Sequence, residues 1–329
     1  MELRLIQKEY KTLDVMKFVM AIVVVAIHTR PEMSFNSVFV RQSFETIYSL
    51  AVPFFFMASG FLLFRKVTFP LNADGYKRIR EYLVRISKLY LLWTLIYFPM
   101  TIYGFWVDGV SPVEAVAVFS RNVLLVGENF MSWPLWYLLA LIVAVGIIYG
   151  LFRMKVSKIG VLIIGLFMAL IGVGLNYCHE HSLMSYLTDL YFSVFLKTRN
   201  GFFEGFLFVS IGMLCATLEK IPTQVVLLLF LIGYIAEFLA LPLANAFIVF
   251  AMFVVTISLQ ISSISESYSF RLMSSVIYFC HMFFVAVLKL CCGIGSGCLL
   301  WGTVTFASLL TCFIFTKIKK SRFIKLLFA

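Results

Sequence analysis

The sequence has little charge. Only 13% of its 329 residues are Asp, Glu, Lys or Arg, whereas a soluble protein of this size carries about twice that share. Hydrophobic residues make up 62% of the chain and aromatic residues 17%. This composition excludes a soluble globular protein and predicts an integral membrane protein. The expected fold class is all-α, a polytopic helix bundle.

Metal-binding patterns are also missing. The seven cysteines have no metal-ligand spacing, so no metal is predicted. Cys291, Cys292 and Cys298 flank a glycine-rich turn, where a disulfide is the alternative and free thiols are expected. We expect no cleaved signal peptide, because the first apolar run lacks a small-residue cleavage site. With no internal repeat and no separate soluble domain, residues 1–329 are predicted to form a single membrane-embedded domain.

Long apolar runs are what the sequence does contain. Ten runs of about 20 residues have the length that crosses a bilayer. Between them, the mixed segments 111–131 and 182–198 have helical spacing and are expected to lie along the membrane interface. The ten predicted transmembrane helices cover residues 13–30, 45–64, 83–103, 133–152, 157–177, 201–218, 224–241, 243–261, 272–290 and 298–316.

Acidic residues are outnumbered, with 16 against 27 Lys and Arg and a net charge of +11. With the N-terminus inside, 21 of the 27 basic residues fall in alternate loops on the cytoplasmic side and 6 fall outside. The positive-inside rule produces this alternation. We therefore expect both termini to be cytoplasmic and the partner of the basic loops to be the lipid bilayer rather than nucleic acid. The organisation is typical of a bacterial plasma membrane protein.

Three polar side chains share one face of the first apolar run. Asp14 and Lys17 lie fourteen and eleven residues before His28, close to four and three whole turns of an α-helix. An ionisable stripe across a membrane helix is costly and usually marks a pathway or a reactive centre. The alternative is that Asp14 and Lys17 pair with each other at the interface. The stripe predicts a functional site on this helix.

The spacing of Lys17 and His28, with Asp14 upstream, resembles acyltransferase family 3, the integral-membrane acyltransferases that modify cell-surface polymers. The second run contains VPFFFMASGFLL, and the third begins with the basic stretch YKRIREYLVRISKLY. WPLWYL, RNGFFEG and IYFCH follow in order along the chain. RNGFFEG and the AIHTRP ending of the first run also resemble the membrane half of vancomycin-resistance serine racemases. Racemization is not predicted, because the sequence contains no racemase domain.

The resemblance implies an acyl-coenzyme A donor, with acetyl as the most plausible acyl group. Basic residues at the inner interface suit its phosphates. Arg85 and Lys88 are the leading candidates, followed by Arg78 and Arg80, for which the alternative is contact with anionic lipid headgroups.

The same resemblance makes His28 the expected catalytic residue, assisted by Lys17 and Asp14. The imidazole would either take a proton from an acceptor hydroxyl or carry the acyl group itself. Glu204 would orient the imidazole or bind the acceptor, and its alternative is an ion pair with Arg199.

Trp136, Tyr278 and His281 are candidates for binding the acceptor. The alternative for Trp136 is an aromatic belt at the membrane surface. For Tyr278 and His281 it is structural bracing between helices. Ser59, followed by Gly60, is expected to allow close helix packing rather than act as a nucleophile.

The sequence therefore predicts a membrane O-acyltransferase. It would move an acyl group from cytoplasmic acyl-coenzyme A to a hydroxyl of a cell-envelope glycan or related acceptor on the outer face. The alternative is a transporter that moves a small polar solute along the same polar stripe. The paired, broken helices typical of inverted-repeat transporters are not evident in the sequence.

Overall fold

The computed structural model describes residues 10–218, 222–239, 241–259, 267–317 and 327–328. Every regular element in these ranges is helical, which confirms the all-α class. The twelve α-helices there are α1 (Lys11–Thr29), α2 (Val38–Phe64), α3 (Ala73–Val107), α4 (Pro112–Arg121), α5 (Trp136–Arg153), α6 (Lys158–Glu180), α7 (Ser185–Phe195), α8 (Glu204–Thr217), α9 (Thr223–Phe238), α10 (Ala244–Ser258), α11 (Ser267–Ala286) and α12 (Cys298–Lys317).

Each of the ten predicted runs contains one of these helices. Seven helices are long and apolar enough to cross a membrane: α1, α2, α3, α5, α6, α11 and α12, counting the short turns that extend α5 and α11. The other three, α8, α9 and α10, are apolar but have only 14 to 16 residues. The predicted polytopic membrane bundle is confirmed. The two mixed outer segments also contain helices, α4 and α7.

α1 ends sharply at its outer end. Arg30 has a left-handed backbone, φ 52°, and its N–H donates to the Ala26 carbonyl, a common way to close a helix. Pro31 follows, and a proline at this point cannot continue the helix. These two residues leave His28 in the last turn of α1, with its side chain directed into the bundle.

The core has two parts, and α1 lies between them. Leu13, Met20 and Val24 of α1 pack into a cluster built by α2, α5, α8 and α10. Ala21 and Val25, on another face of α1, pack into a cluster built by α3, α11 and α12. α1 is therefore the central helix of the bundle.

α2 and α8 approach closely because each has a glycine at the contact. A Cβ on Gly60 would lie 2.3 Å from the Val209 carbonyl oxygen, and one on Gly212 would lie 2.1 Å from the Met57 carbonyl oxygen. Neither position has room for a side chain. The prediction that Gly60 permits close helix packing is confirmed.

Candidate active site

At the inner end of α1, Asp14 binds an arginine from α11. Its Oδ2 lies 2.8 Å from Arg271 Nη2 and its Oδ1 lies 3.3 Å from Arg271 Nε. Asp14 is only 3% exposed. Asp14 therefore hydrogen bonds to Arg271, from a distant part of the chain, and Lys17 in the same helix interacts with it electrostatically. Two hydrogen bonds in this fork geometry fix α1 to α11 at the inner membrane surface.

Further cations surround this pair. Burial lowers the pKa of Lys66, in the loop after α2, and the neighbouring charges of Arg65, Arg85 and Arg271 lower it further. Lys17 also interacts electrostatically with Arg85 and Arg271. We call these five residues, which come from α1, the loop after α2, α3 and α11, the inner basic cluster. A concentration of positive charge at the inner surface can bind phosphate groups.

The predicted donor-binding residues divide into two groups. Arg85 joins the inner basic cluster, with its guanidinium 5.3 Å from the Tyr82 ring. The positive charge of Arg78 also lowers the pKa of Lys66. Arg80 and Lys88 are exposed on α3.

At the outer end of α1, the His28 imidazole faces a cavity of about 310 Å³. The Trp133 ring lies nearly parallel to the imidazole, with 6.0 Å between ring centres. We call this space the histidine cavity. It is lined by Val24, Ile27, His28, Val52, Phe55, Glu128, Trp133, Pro134, Trp136, Tyr137, Lys197, Arg199 and Tyr278.

Two polar side chains of α11 adjoin His28. The Tyr278 hydroxyl donates to the Pro134 carbonyl and the ring lines the histidine cavity. His281 is completely buried, with its ring centre 5.3 Å from that of His28. Its Nδ1 lies 2.8 Å from the Ile277 carbonyl oxygen, and Nε2 has no hydrogen-bond partner among the described residues. A buried imidazole nitrogen without a partner is costly, and bracing between helices does not account for it.

Tyr137 lines the histidine cavity, and Ser59 lies directly behind its hydroxyl group. Their hydroxyl oxygens are 2.8 Å apart, and the Tyr137 hydroxyl is 3.1 Å from the Phe55 carbonyl oxygen. Ser59 thus has a structural contact as well as its place beside Gly60. Trp136 is 9% exposed and packs against Phe56. A buried ring that lines a cavity does not fit the aromatic-belt alternative for Trp136.

Charged residues form the outer rim. Lys197 binds Glu128 at 2.9 Å. The Arg199 guanidinium lies 5.2 Å from the centre of the Trp136 ring, and its Nε lies 3.6 Å from Glu204 Oε2. Glu204 does not line the histidine cavity. The structure therefore supports the alternative for Glu204, an ion pair with Arg199, and not contact with the imidazole.

The structure brings together only part of the predicted site. His28, Trp136 and Tyr278 line one cavity, with His281 against it. Lys17 lies eleven residues back along α1, about 16 Å at 1.5 Å per residue, and Asp14 lies deeper still toward the inner surface. Sequence reasoning did not single out Trp133, considered Tyr137 mainly as an aromatic-belt residue, and named Arg199 only as a partner for Glu204. The motifs WPLWYL and RNGFFEG that contain them were the available signal.

The fold and this site define an integral membrane protein with an imidazole that lines an aromatic cavity. The family model described as "Acyltransferase domain" matches residues 10–317, so the chain belongs to this acyltransferase family. The resemblance predicted from the motifs is confirmed.

Curated relatives come from bacteria. An amino-acid racemase of Enterococcus faecalis is 26% identical over 212 residues, and a serine/alanine racemase of Enterococcus gallinarum is 30% identical over 211. These matches cover 63% and 62% of this chain but 29% of each relative. The chain thus spans less than a third of the length of the curated relatives that it matches. No solved structure matches the chain.

Proposed function

We propose that this membrane acyltransferase moves an acyl group, acetyl in the first instance, from cytoplasmic acyl-coenzyme A to a hydroxyl group on the outer face of a bacterial plasma membrane. The acceptor is a cell-envelope glycan or a related hydroxyl compound. The observation that carries the proposal is the position of His28, whose imidazole lines a cavity beside Trp133 and His281.

The inner basic cluster supports the choice of donor. Coenzyme A carries several phosphate charges, and Arg and Lys bind phosphate through charge-assisted hydrogen bonds. Arg85 and Arg271 belong to this cluster, and Lys88 lies one helical turn beyond Arg85. The cytosol supplies acyl-coenzyme A, so a donor site on the inner side matches the orientation predicted from the basic loops.

His28 would handle the proton of the reaction. Its imidazole takes the proton of the acceptor hydroxyl, and the oxygen forms a bond to the thioester carbonyl carbon. The carbon–sulfur bond then breaks, and the proton passes to the departing thiolate. A second route uses the same atoms, with the acyl group transferred first to the imidazole and then to the acceptor oxygen. In both routes Tyr278 and Trp133 shield the imidazole from bulk water.

Labelled acetyl-coenzyme A tests the proposal. The purified chain is incubated with this donor and an envelope extract, and incorporation of label is compared between wild type and His28→Ala. His181→Ala is the matched control, because His181 is exposed and stacks on Tyr177 away from the cavity. We expect incorporation to be lost in His28→Ala and retained in His181→Ala.

Two results would contradict the proposal. Equal incorporation in wild type and His28→Ala would remove His28 from the reaction. Solute flux into proteoliposomes without any donor, together with no incorporation of label, would favour the transporter instead. Rapid denaturation of a single turnover near neutral pH separates the two chemical routes, because only the covalent route leaves label on His28 and an acyl-imidazole hydrolyses quickly in acid.

A further inference from the structure

A second cavity lies beside the histidine cavity and has a different lining. Its volume is about 410 Å³, within the range of sites that hold small ligands. The two cavities share Ile27, Val52 and Arg199 as a common wall. We call this second space the polar cavity. The polar cavity therefore adjoins the space that His28 faces.

The polar groups of this cavity come from four different elements. α2 contributes Glu45 and Ser49, α6 contributes Asn176, and α10 contributes Asn245. Glu204 lies at the start of α8. Asn245 Nδ2 donates to the Ser49 carbonyl at 3.1 Å, which fixes the plane of its amide. The lining thus combines carboxylate acceptors with amide and hydroxyl groups that both donate and accept.

Charge narrows the class of ligand. Glu45 and Glu204 are the acidic residues of the lining and Arg199 is its basic residue. Arg199 is paired with Glu204, so the second carboxylate, that of Glu45, gives the lining a net negative charge. This arrangement disfavours an anionic ligand, since like charges repel at short range.

Apolar side chains cover the rest of the wall. Phe203, Phe208 and Val52 line the polar cavity alongside the polar groups. A neutral sugar ring presents the same mixture, with hydroxyl groups at its edge and C–H groups on its faces. Carboxylates accept hydrogen bonds from such hydroxyls, and amides both accept and donate them. The aromatic rings pack against the C–H face.

We propose that the polar cavity is the acceptor subsite and that it binds a neutral, polyhydroxylated unit such as a hexosyl group. Asn245 and Glu45 determine its specificity by hydrogen bonding to the ring hydroxyls. Arg199 lies between the two cavities and is held by Glu204 on one side and Trp136 on the other. The hydroxyl that reacts reaches past Arg199 to His28. The acceptor role of the polar cavity rests on the proposed acyltransferase function. Binding of a hexoside to the cavity can be measured separately.

Direct binding is therefore measured first, without donor. Methyl glucoside, a neutral hexoside, is titrated into the full chain in lipid nanodiscs and followed by calorimetry, with methyl glucuronoside as its anionic counterpart. We expect the neutral hexoside to bind more tightly than the anionic one. Glu45→Gln and Asn245→Leu should each weaken binding by about tenfold, the effect of losing one good hydrogen bond to a charged or buried partner.

Matched controls lie on exposed parts of the chain. Glu114→Gln on α4 and Asn36→Leu in the loop before α2 repeat the same chemical changes outside the cavity, and both should leave binding unchanged. Glu45 is itself exposed, so Glu45→Gln keeps the test valid if Asn245→Leu does not fold.

Acyl transfer is then measured with methyl glucoside as the acceptor. The two cavity variants should raise the acceptor KM and leave the KM for acetyl-coenzyme A unchanged. No binding of the neutral hexoside, or equal binding by wild type and both variants, would overturn the acceptor subsite. If binding depends on Asn245 and Glu45 while no acyl transfer occurs, the subsite stands and the proposed function fails. If His28-dependent transfer is unaffected by both variants, the function stands and the subsite fails.

Discussion

The two ends of α1 have opposite chemistry although one helix holds both. The inner end lies among cations that are partly open to water, and the Arg271 side chain is 52% exposed. The outer end places His28 among the rings of Trp133, Trp136 and Tyr278. Exposed cations suit reversible binding of a polyanion, while an imidazole shielded by rings suits proton transfer away from bulk water. The comparison suggests that binding of the donor and chemistry are separated along α1 by about three helical turns.

Substitution of His28, at the outer end of α1, should have the largest effect on the rate of acyl transfer. His28→Gln keeps a polar side chain of similar length but removes the base, so kcat should fall about 10²- to 10⁴-fold, the usual contribution of a positioned acid–base group. The KM for acetyl-coenzyme A should change little. Steady-state kinetics with labelled donor measure both constants.

His281→Gln sharpens this prediction. His281 contacts His28 but does not line the cavity, so its loss should reduce kcat by a smaller factor, about tenfold. Equal losses in the two variants would mean that the imidazoles act as one unit, and the outer end could not be assigned to His28 alone.

Charge reversal at the inner end should act on binding instead. In Arg85→Glu with Lys88→Glu, repulsion of the donor phosphates should raise the KM for acetyl-coenzyme A about 10- to 100-fold, as expected for one or two lost charge-assisted hydrogen bonds. The kcat at saturating donor should stay within a factor of about two, because these residues do not touch the reacting atoms.

Lys155→Glu is the control for charge at the inner surface. Lys155 is exposed in the turn between α5 and α6, on the same predicted side of the membrane but outside the inner basic cluster. A similar rise in KM for Lys155→Glu would show that any positive charge at the inner surface attracts the donor. A fall in kcat without a change in KM in the variant with Arg85→Glu and Lys88→Glu would contradict the assignment of donor binding to the inner end and chemistry to the outer end.

Asp14→Asn tests whether the inner end also holds the bundle together. Removing the carboxylate charge weakens the ion pair with Arg271, and the free energy of unfolding should fall by about 1 to 2 kcal/mol, since the Arg271 side chain is half-exposed and partly solvated. A double-mutant cycle with Arg271→Gln, measured by thermal unfolding in detergent, isolates the pair. Additive losses would show that the two side chains do not stabilise each other.

The sequence predicts the parts of this site that depend on local patterns. It does not predict the parts that depend on contacts between residues far apart in the chain. The helices follow from local apolar runs, and His28 follows from a polar stripe within one helix. Asp14 was placed correctly on that stripe, but its partner Arg271 lies 257 residues away, and no local pattern connects the two. Long-range pairs of this kind are decided by packing between helices.

The contacts of Glu204 at the outer end could not be predicted from a local pattern either. Its position at the start of α8 indicates a depth near His28, but depth along the membrane normal does not fix the angle around the bundle. The backbone of RNGFFEG, capped by Asn200, places the Glu204 side chain in the neighbouring polar cavity. The polar cavity itself was not predicted, because its lining residues come from separate helices and share no motif.

Each end of α1 has a buried carboxylate, that of Asp14 at the inner end and that of Glu32 at the outer end. Substitution of Glu32 is the last prediction, and its expected effect is the smallest. Glu32, just after α1, is 1% exposed, accepts from Tyr48 at 2.6 Å and pairs with Arg30 at 2.9 Å. Burial alone would raise the pKa of Glu32, but the hydrogen bonds from Tyr48 and Arg30 outweigh it and lower the pKa below its usual 4.5. A carboxyl group with a lowered pKa stabilises the folded state above its usual pKa, and this stabilisation is lost as pH falls through the lowered value.

Glu32→Gln should therefore cost about 1 kcal/mol at pH 7. This is less than for Asp14→Asn, because one of the two hydrogen bonds to Glu32 comes from the neutral Tyr48 hydroxyl, whereas both hydrogen bonds to Asp14 come from the Arg271 guanidinium. The difference in melting temperature between wild type and Glu32→Gln should shrink as the pH falls from 6 to below about 4.5. Arg41→Gln, on the exposed start of α2, is the control and should show no such pH dependence. If the difference for Glu32→Gln stays constant across that range, the outer carboxylate contributes through packing alone, and only the inner end of α1 depends on charge for its stability.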